Sequence, residues 1–254
     1  MDLGLKGRKA FVTGASRGIG LRIARLLADE GADVGICARD AGAVAEAVAE
    51  LQGRGVRAYG AAADFTGDGA GLRAAIDGAA AAFGGLDILV QNVSAMAVQP
   101  RQKDWDISYQ VDILGTIRCF EAAMPHIEKS TAGAFVVVGT TAAISGFGGP
   151  GPYGAVKAAL LHYVSSQARA LAPKLIRANT VSPSSVYFEG GVWHQVQQKA
   201  PQRYEDMLGR NPMGRMATPE EVANAVVFLA SPAASFITGV NLIVDGGLTP
   251  RVQY

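Results

Sequence analysis

Short apolar runs alternate with longer Ala- and Leu-rich stretches whose hydrophobic positions recur at helical spacing, and the alternation continues along most of the chain. The runs Lys9–Thr13, Asp33–Ala38, Val56–Ala62, Ile88–Gln91, Ala134–Gly139, Arg177–Val181 and Asn241–Val244 predict strands. Between them, Gly18–Glu30, Ala41–Gln52, Gly69–Phe83, Trp105–Glu128, Tyr153–Leu171 and Pro219–Ala230 predict helices, with Gly and Pro falling mostly at the joins. Strands that read as unbroken apolar runs are covered on both faces. The pattern therefore predicts an α/β fold, a Rossmann-like doubly wound parallel sheet of about seven strands with helices on both faces. One interval breaks the rhythm: residues 183–218 carry Pro183, Pro201 and Pro212 with the aromatics Tyr187, Phe188, Trp193 and Tyr204. Such an interval in a compact domain predicts a substrate loop or lid.

Composition narrows the class. The 254 residues suit a single domain spanning 1–254, and 49% hydrophobic against 18% charged residues excludes global disorder. With 23 Lys+Arg against 22 Asp+Glu the net charge is only +1, which argues against a nucleic-acid partner. No apolar run approaches the roughly 18 residues of a membrane span, so no membrane partner is expected. The two cysteines, Cys37 and Cys119, lie far apart in apolar surroundings and read as reduced thiols of a cytoplasmic protein. No Cys/His cluster has metal-ligand spacing.

The first candidate chemistry lies at Thr13-Gly14-Ala15-Ser16-Arg17-Gly18-Ile19-Gly20, which follows the first predicted strand and opens the first predicted helix. Glycines there let the backbone turn tightly and approach a pyrophosphate, whose charge meets N–H groups and the positive helix end. The same residues formally contain a Gly-x-Ser-x-Gly nucleophile elbow centred on Ser16. No upstream chain could supply the second oxyanion donor, which disfavours that reading. The second strand ends Ile36-Cys37-Ala38-Arg39, without the carboxylate that would hold a free ribose 2′-hydroxyl. Arg39, with Arg17 in the turn, suits a 2′-phosphate, so NADP(H) is expected over NAD(H).

The second lies at Tyr153-Gly154-Ala155-Val156-Lys157, where i, i+4 spacing stacks phenol and ammonium on one helix face. An adjacent ammonium and a helix N-terminus should lower the phenol pKa from near 10 toward a useful acid–base range.

Together with the Asn92 segment, Gly214-Arg215, Thr218-Pro219-Glu220-Glu221-Val222 and Val244-Asp245-Gly246-Gly247, these motifs resemble the short-chain dehydrogenase/reductase family from about Leu5 to Gly247. The nearest members in kind are 3-oxoacyl reductases and carbonyl reductases. The resemblance implies a nicotinamide cofactor, reversible carbonyl/alcohol chemistry on a small molecule, and a homotetramer. It implies Tyr153 as general acid, Lys157 as the group that holds the nicotinamide ribose and depresses the phenol pKa, and Thr140 in place of the family's substrate-orienting serine. Asp112 stands where the family has a catalytic Asn. A carboxylate there should offset part of the Lys157 field. By the same resemblance the cofactor is met by Gly14, Ser16, Arg17, Gly18, Ile19, Gly20, Arg39, Asp64, Phe65, Asn92, Ser94, Pro183 and Val186. The substrate pocket is expected to draw on Met96, Ile144, Phe147, Tyr187, Phe188 and Trp193, a lining suited to an apolar or aromatic ketone. The alternatives are an NAD-dependent alcohol dehydrogenase working oxidatively and a nucleotide-binding protein without turnover.

Overall fold

The computed structural model describes residues 2–146 and 149–250. Seven strands form one sheet: β1 (Lys9–Thr13), β2 (Asp33–Ala38), β3 (Ala58–Ala62), β4 (Ile88–Gln91), β5 (Ala134–Val138), β6 (Arg177–Pro183) and β7 (Asn241–Val244). Every pairing is parallel, in the order β3-β2-β1-β4-β5-β6-β7. The helices are α1 (Gly18–Asp29), α2 (Ala41–Gln52), α3 (Ala70–Phe83), α4 (Gln102–Ser108), α5 (Gly115–Ile127), α6 (Pro152–Leu171), α7 (Val192–Lys199), α8 (Pro201–Arg210) and α9 (Pro219–Ala230).

One buried cluster joins Val12, Val34, Ile36, Val90 and Val136 to α1, α2 and α9. The other joins Phe11, Leu89, Phe135 and Val137 to α3, α5 and α6. Successive residues of a strand point to opposite faces, so β1, β4 and β5 feed both layers and need apolar side chains throughout. Parallel strands also bring all their carboxyl ends to one edge. The order reverses between β1 and β4, and it is at such a switch point that open α/β sheets bind ligands.

Two expectations need correction. The helix expected over 105–128 is three pieces, α4, a π-helical turn at Tyr109–Leu114, and α5. The interval 183–218 is not a loop, because α7 and α8 fill its middle. Its base is pinned by Tyr187 N donating to Ala217 O at 2.9 Å and Ala217 N to Ser185 O at 3.0 Å.

Arg177 fastens the helix layer to the sheet. Its guanidinium is buried at the start of β6 and donates to the carbonyls of Leu229 and Ala230, which the end of α9 leaves open, and to that of Ser231, which also accepts from Ala234 N at 3.1 Å. Burial holds its pKa down to about 10, still fully protonated at neutral pH. Arg177→Met takes the side-chain partner from the Leu229 and Ala230 carbonyls and should cost about 3 kcal/mol. A thermal melt should then show a Tm lower by roughly 8 °C; an unchanged Tm would remove this role.

Candidate active site

The turn after β1 is shaped by glycine. Gly14 and Gly18 adopt φ of 64° and 57°, in the left-handed region that glycine enters without strain. A Cβ on Gly20 would lie 2.3 Å from the Gly14 carbonyl oxygen and 2.6 Å from Asn92 Nδ2, so the turn closes on itself only with hydrogen there. Arg17 is the N-cap of α1, yet no side chain caps the helix and no acidic residue lies in its first turn. The positive end of α1 is therefore free to receive an anion at the sheet edge, as a dinucleotide pyrophosphate requires. The residues present fit that group.

Asn92, at the end of β4, holds the turn from beside it. Its Nδ2 donates to the carbonyls of Thr13 and Gly14, each at 3.2 Å, and its N–H donates to Thr13 Oγ1 at 2.9 Å. A buried chain continues from there. Thr13 Oγ1 donates to Gln91 Oε1 at 2.5 Å, Gln91 Nε2 to Thr116 Oγ1 at 3.1 Å, and Thr116 Oγ1 to the Asp112 carbonyl at 2.6 Å. Thr13, Gln91 and Thr116 were not anticipated. The one signal was Gln91, a polar residue closing an otherwise apolar strand.

At the next strand end Thr140 follows β5, and its Oγ1 accepts from Ala142 N at 3.2 Å to cap the short helical turn Thr141–Ala143. Gly154 lets α6 press on that turn, since a Cβ there would stand 2.7 Å from Ala142 O. This close approach brings the Tyr153 hydroxyl within hydrogen-bonding reach of Thr140. One helical turn on, Lys157 is 3% exposed and donates to the Val138 carbonyl at 3.3 Å. Its Nζ also lies 3.3 Å from Oδ1 of Asp112, which is fully buried. Asp112 Oδ2 accepts from Ala95 N at 3.1 Å, whereas Oδ1 has no aligned hydrogen bond and meets the ammonium by charge alone. The π turn at Tyr109–Leu114 places this carboxylate, in keeping with the frequent use of such turns at functional sites.

The expected lowering of the phenol pKa is absent. Burial raises Tyr153 above the ordinary tyrosine value, the Thr140 contact lowers it partly, and the Asp112 carboxylate raises it again. The ammonium that should have countered this is engaged by Asp112 and Val138.

The other predicted residues divide. Arg17 and Arg39 are exposed at the switch-point edge and form no salt bridge among the described residues. Asp64 is exposed too. The Thr66 N–H donates to it at 2.9 Å and, with a smaller effect of Arg39, holds its carboxyl below the usual range. Ser16, Ile19, Ser94, Pro183 and Val186 all lie on the turn or the strand ends, and the Ser94 hydroxyl accepts from Met96 N at 3.1 Å. The Phe65 side chain is buried against Gly115 at the start of α5, which leaves its main chain for a ligand. Phe188 is a correction. Assigned to the substrate pocket, its ring instead packs on the glycine turn, 2.6 Å from where a Gly18 Cβ would stand. Tyr187 donates to Gln197 Oε1 at 2.7 Å and meets the rings of His194 and Tyr204, so it fastens α7 and α8 to each other. Met96 is 47% exposed and carries a φ of 52°; Ile144 and Trp193 are half-buried. Phe147 lies outside the described residues.

Comparison with known proteins agrees with this architecture. The family model described as enoyl-(acyl-carrier-protein) reductase matches residues 14–249. Isoepoxydon dehydrogenase of Penicillium expansum is 34% identical over 260 residues, covering all of this chain and 99% of its own. The crystal structure of 3-oxoacyl (acyl-carrier-protein) reductase from Agrobacterium tumefaciens C58 with NADP bound superposes with a TM-score of 0.88. It is 32% identical and covers 96% of this chain and 95% of its own. The crystal structure of an NAD+-bound xylitol dehydrogenase gives a TM-score of 0.88 at 27% identity, with 96% and 99% coverage.

Proposed function

The chain belongs to the short-chain dehydrogenase/reductase family, oxidoreductases that use a pyridine nucleotide on keto or hydroxyl substrates, and from that premise we propose an NADPH-dependent ketone reductase. The observation that carries the proposal is the meeting of Thr140, Tyr153 and Lys157 at the sheet edge beside an uncapped glycine turn. In this reading Thr140 orients the substrate oxygen and Tyr153 gives it a proton. Lys157 holds the nicotinamide ribose, while α1 and the turn hold the pyrophosphate. The cofactor, when bound, supplies the hydride. The apolar side chains of Met96, Ile144 and Trp193 around the site favour an apolar or aromatic ketone, 3-oxoacyl thioesters included. Incubating the protein with NADPH and a panel of aryl ketones, diketones and 3-oxoesters, and following the cofactor's near-ultraviolet absorbance, tests it. Consumption with none of them would overturn the proposal.

NADPH is preferred over NADH in this proposal because β2 ends without an acid and two exposed arginines, without a salt bridge among the described residues, flank the turn. Arg39→Ala should weaken NADPH binding at least about tenfold, while NADH affinity holds within about twofold. A fluorescence titration reads both, and equal losses would reassign Arg39 to general packing.

The raised phenol pKa gives a second expectation. Oxidation needs Tyr153 as the phenolate, and Asp112 disfavours that form. Asp112→Asn removes the opposing charge, lowers the phenol pKa and shifts the pH–rate profile of alcohol oxidation toward acid. Superimposable profiles for the two proteins would show that the carboxylate is not felt by the phenol.

We place the working enzyme in the cytoplasm as a homotetramer. In support, Cys37 and Cys119 are free and buried, and burial pushes the Cys37 thiol up to about 12, far from reactive. The open edge at β7 carries exposed Val240 and Leu242, with Phe236 fully exposed just before them, a surface suited to a second copy. No helix among the described residues is long and apolar enough to cross a membrane.

A further inference from the structure

We infer that Asp112 sets the preference of the site between the two redox forms of its cofactor, favouring the oxidised, cationic nicotinamide over the reduced, neutral one. The inference rests on the proposed roles of Tyr153 and Lys157 and extends them to a residue that touches Lys157.

The charges in this part of the structure are few. Lys157 brings one buried cation, and Asp112 Oδ1 faces it at 3.3 Å with no exposure of its own. The remaining groups around the pair are neutral: the Val138 carbonyl from β5, the Ala95 N–H from the segment after β4, and the Tyr153 hydroxyl from α6. Among the described residues neither member of the pair has another salt-bridge partner. The site is thus close to electrically neutral, whereas a neutral residue at position 112 would leave the ammonium uncompensated.

That difference acts on one redox form only. Lys157, when it holds the nicotinamide ribose, stands near a ring that is cationic when oxidised and uncharged when reduced. An uncompensated ammonium repels the cationic ring, and burial keeps salt from screening the repulsion. Asp112 cancels most of this. The reduced ring carries no net charge, so its affinity depends far less on residue 112. By linkage, holding the oxidised form more firmly makes the bound reduced form a stronger hydride donor. The raised phenol pKa keeps Tyr153 protonated, so both effects of one carboxylate suit ketone reduction.

The test is a titration of the intact protein with NADP+ and, separately, NADPH at fixed pH and ionic strength, read by quenching of Trp105 and Trp193 emission or by calorimetry. For Asp112→Asn the ratio of the dissociation constants, oxidised over reduced, should rise about tenfold above the native ratio. Asp112→Ser, neutral but of different shape, should give the same rise. A purely structural role would weaken both forms alike and leave the ratio fixed. A ratio within about twofold of native in either folded variant overturns the inference. Circular dichroism checks the fold, and should both variants fail it, the native protein decides. Native NADPH binding tighter than NADP+ overturns the inference; tighter binding of NADP+ supports it. Failure of the native protein to bind either form would instead overturn the proposed function, a distinct outcome.

Discussion

Tyr153→Phe should lower kcat for ketone reduction by on the order of a thousandfold while leaving cofactor affinity within about twofold. The phenol oxygen is the only atom removed. Its neighbour Thr140 keeps the bond from Ala142 N that fixes its position, so the pocket is not rebuilt. Loss of the contact with Thr140 should cost only about 1 kcal/mol of stability, too little to unfold the chain. A fall in kcat with KM nearly constant, in a protein that melts almost normally, is the signature of a lost proton donor. Should the variant retain a tenth or more of native activity, Tyr153 is not the acid, and the proposed chemistry loses its centre.

Gly20→Ala should damage both stability and cofactor binding with a single methyl. Its Cβ would sit 2.3 Å from the Gly14 carbonyl oxygen, a backbone atom that can yield only if the whole turn opens. Opening the turn also displaces Asn92 Nδ2, which would lie 2.6 Å from the new methyl and which holds the carbonyls of Thr13 and Gly14. We expect a stability loss of about 3 kcal/mol and, in the protein that remains folded, NADPH binding weakened on the order of a hundredfold. Denaturant unfolding and a fluorescence titration measure the two separately. Native affinity in the variant would mean that the turn is not the pyrophosphate cradle.

Most of the sheet was legible because its signals are local. An unbroken apolar run such as Phe135-Val136-Val137-Val138 can only be a strand with both faces covered, and Gly14, Gly18 and Gly20 announce a turn of restricted geometry. Tyr153 and Lys157 were legible for the same reason, being four residues apart on one helix. What escaped depends on contacts between distant segments. The π turn at Tyr109–Leu114 leaves no mark in the apolar periodicity, so 105–128 reads as one helix. The burial that raises the Tyr153 pKa, and the engagement of Lys157 by Asp112, arise only when α6, β5 and the π turn pack together. The surroundings of Phe188 and Phe65 were hidden for a related reason. An aromatic residue in a functional segment reads as lining, and only the packed chain shows that one rests on Gly18 and the other on Gly115.

The excursion between Tyr187 and Ala217 is held to the sheet at its base and knitted internally by Tyr187, His194, Gln197 and Tyr204. Thr140, Tyr153 and Lys157 all lie outside it. Under the proposed function, residues 189–216 would form an exchangeable cassette that can be rewritten to suit a new alcohol or ketone without retuning the proton donor. Transplanting the corresponding stretch from a relative would then be the natural unit for redesigning substrate choice.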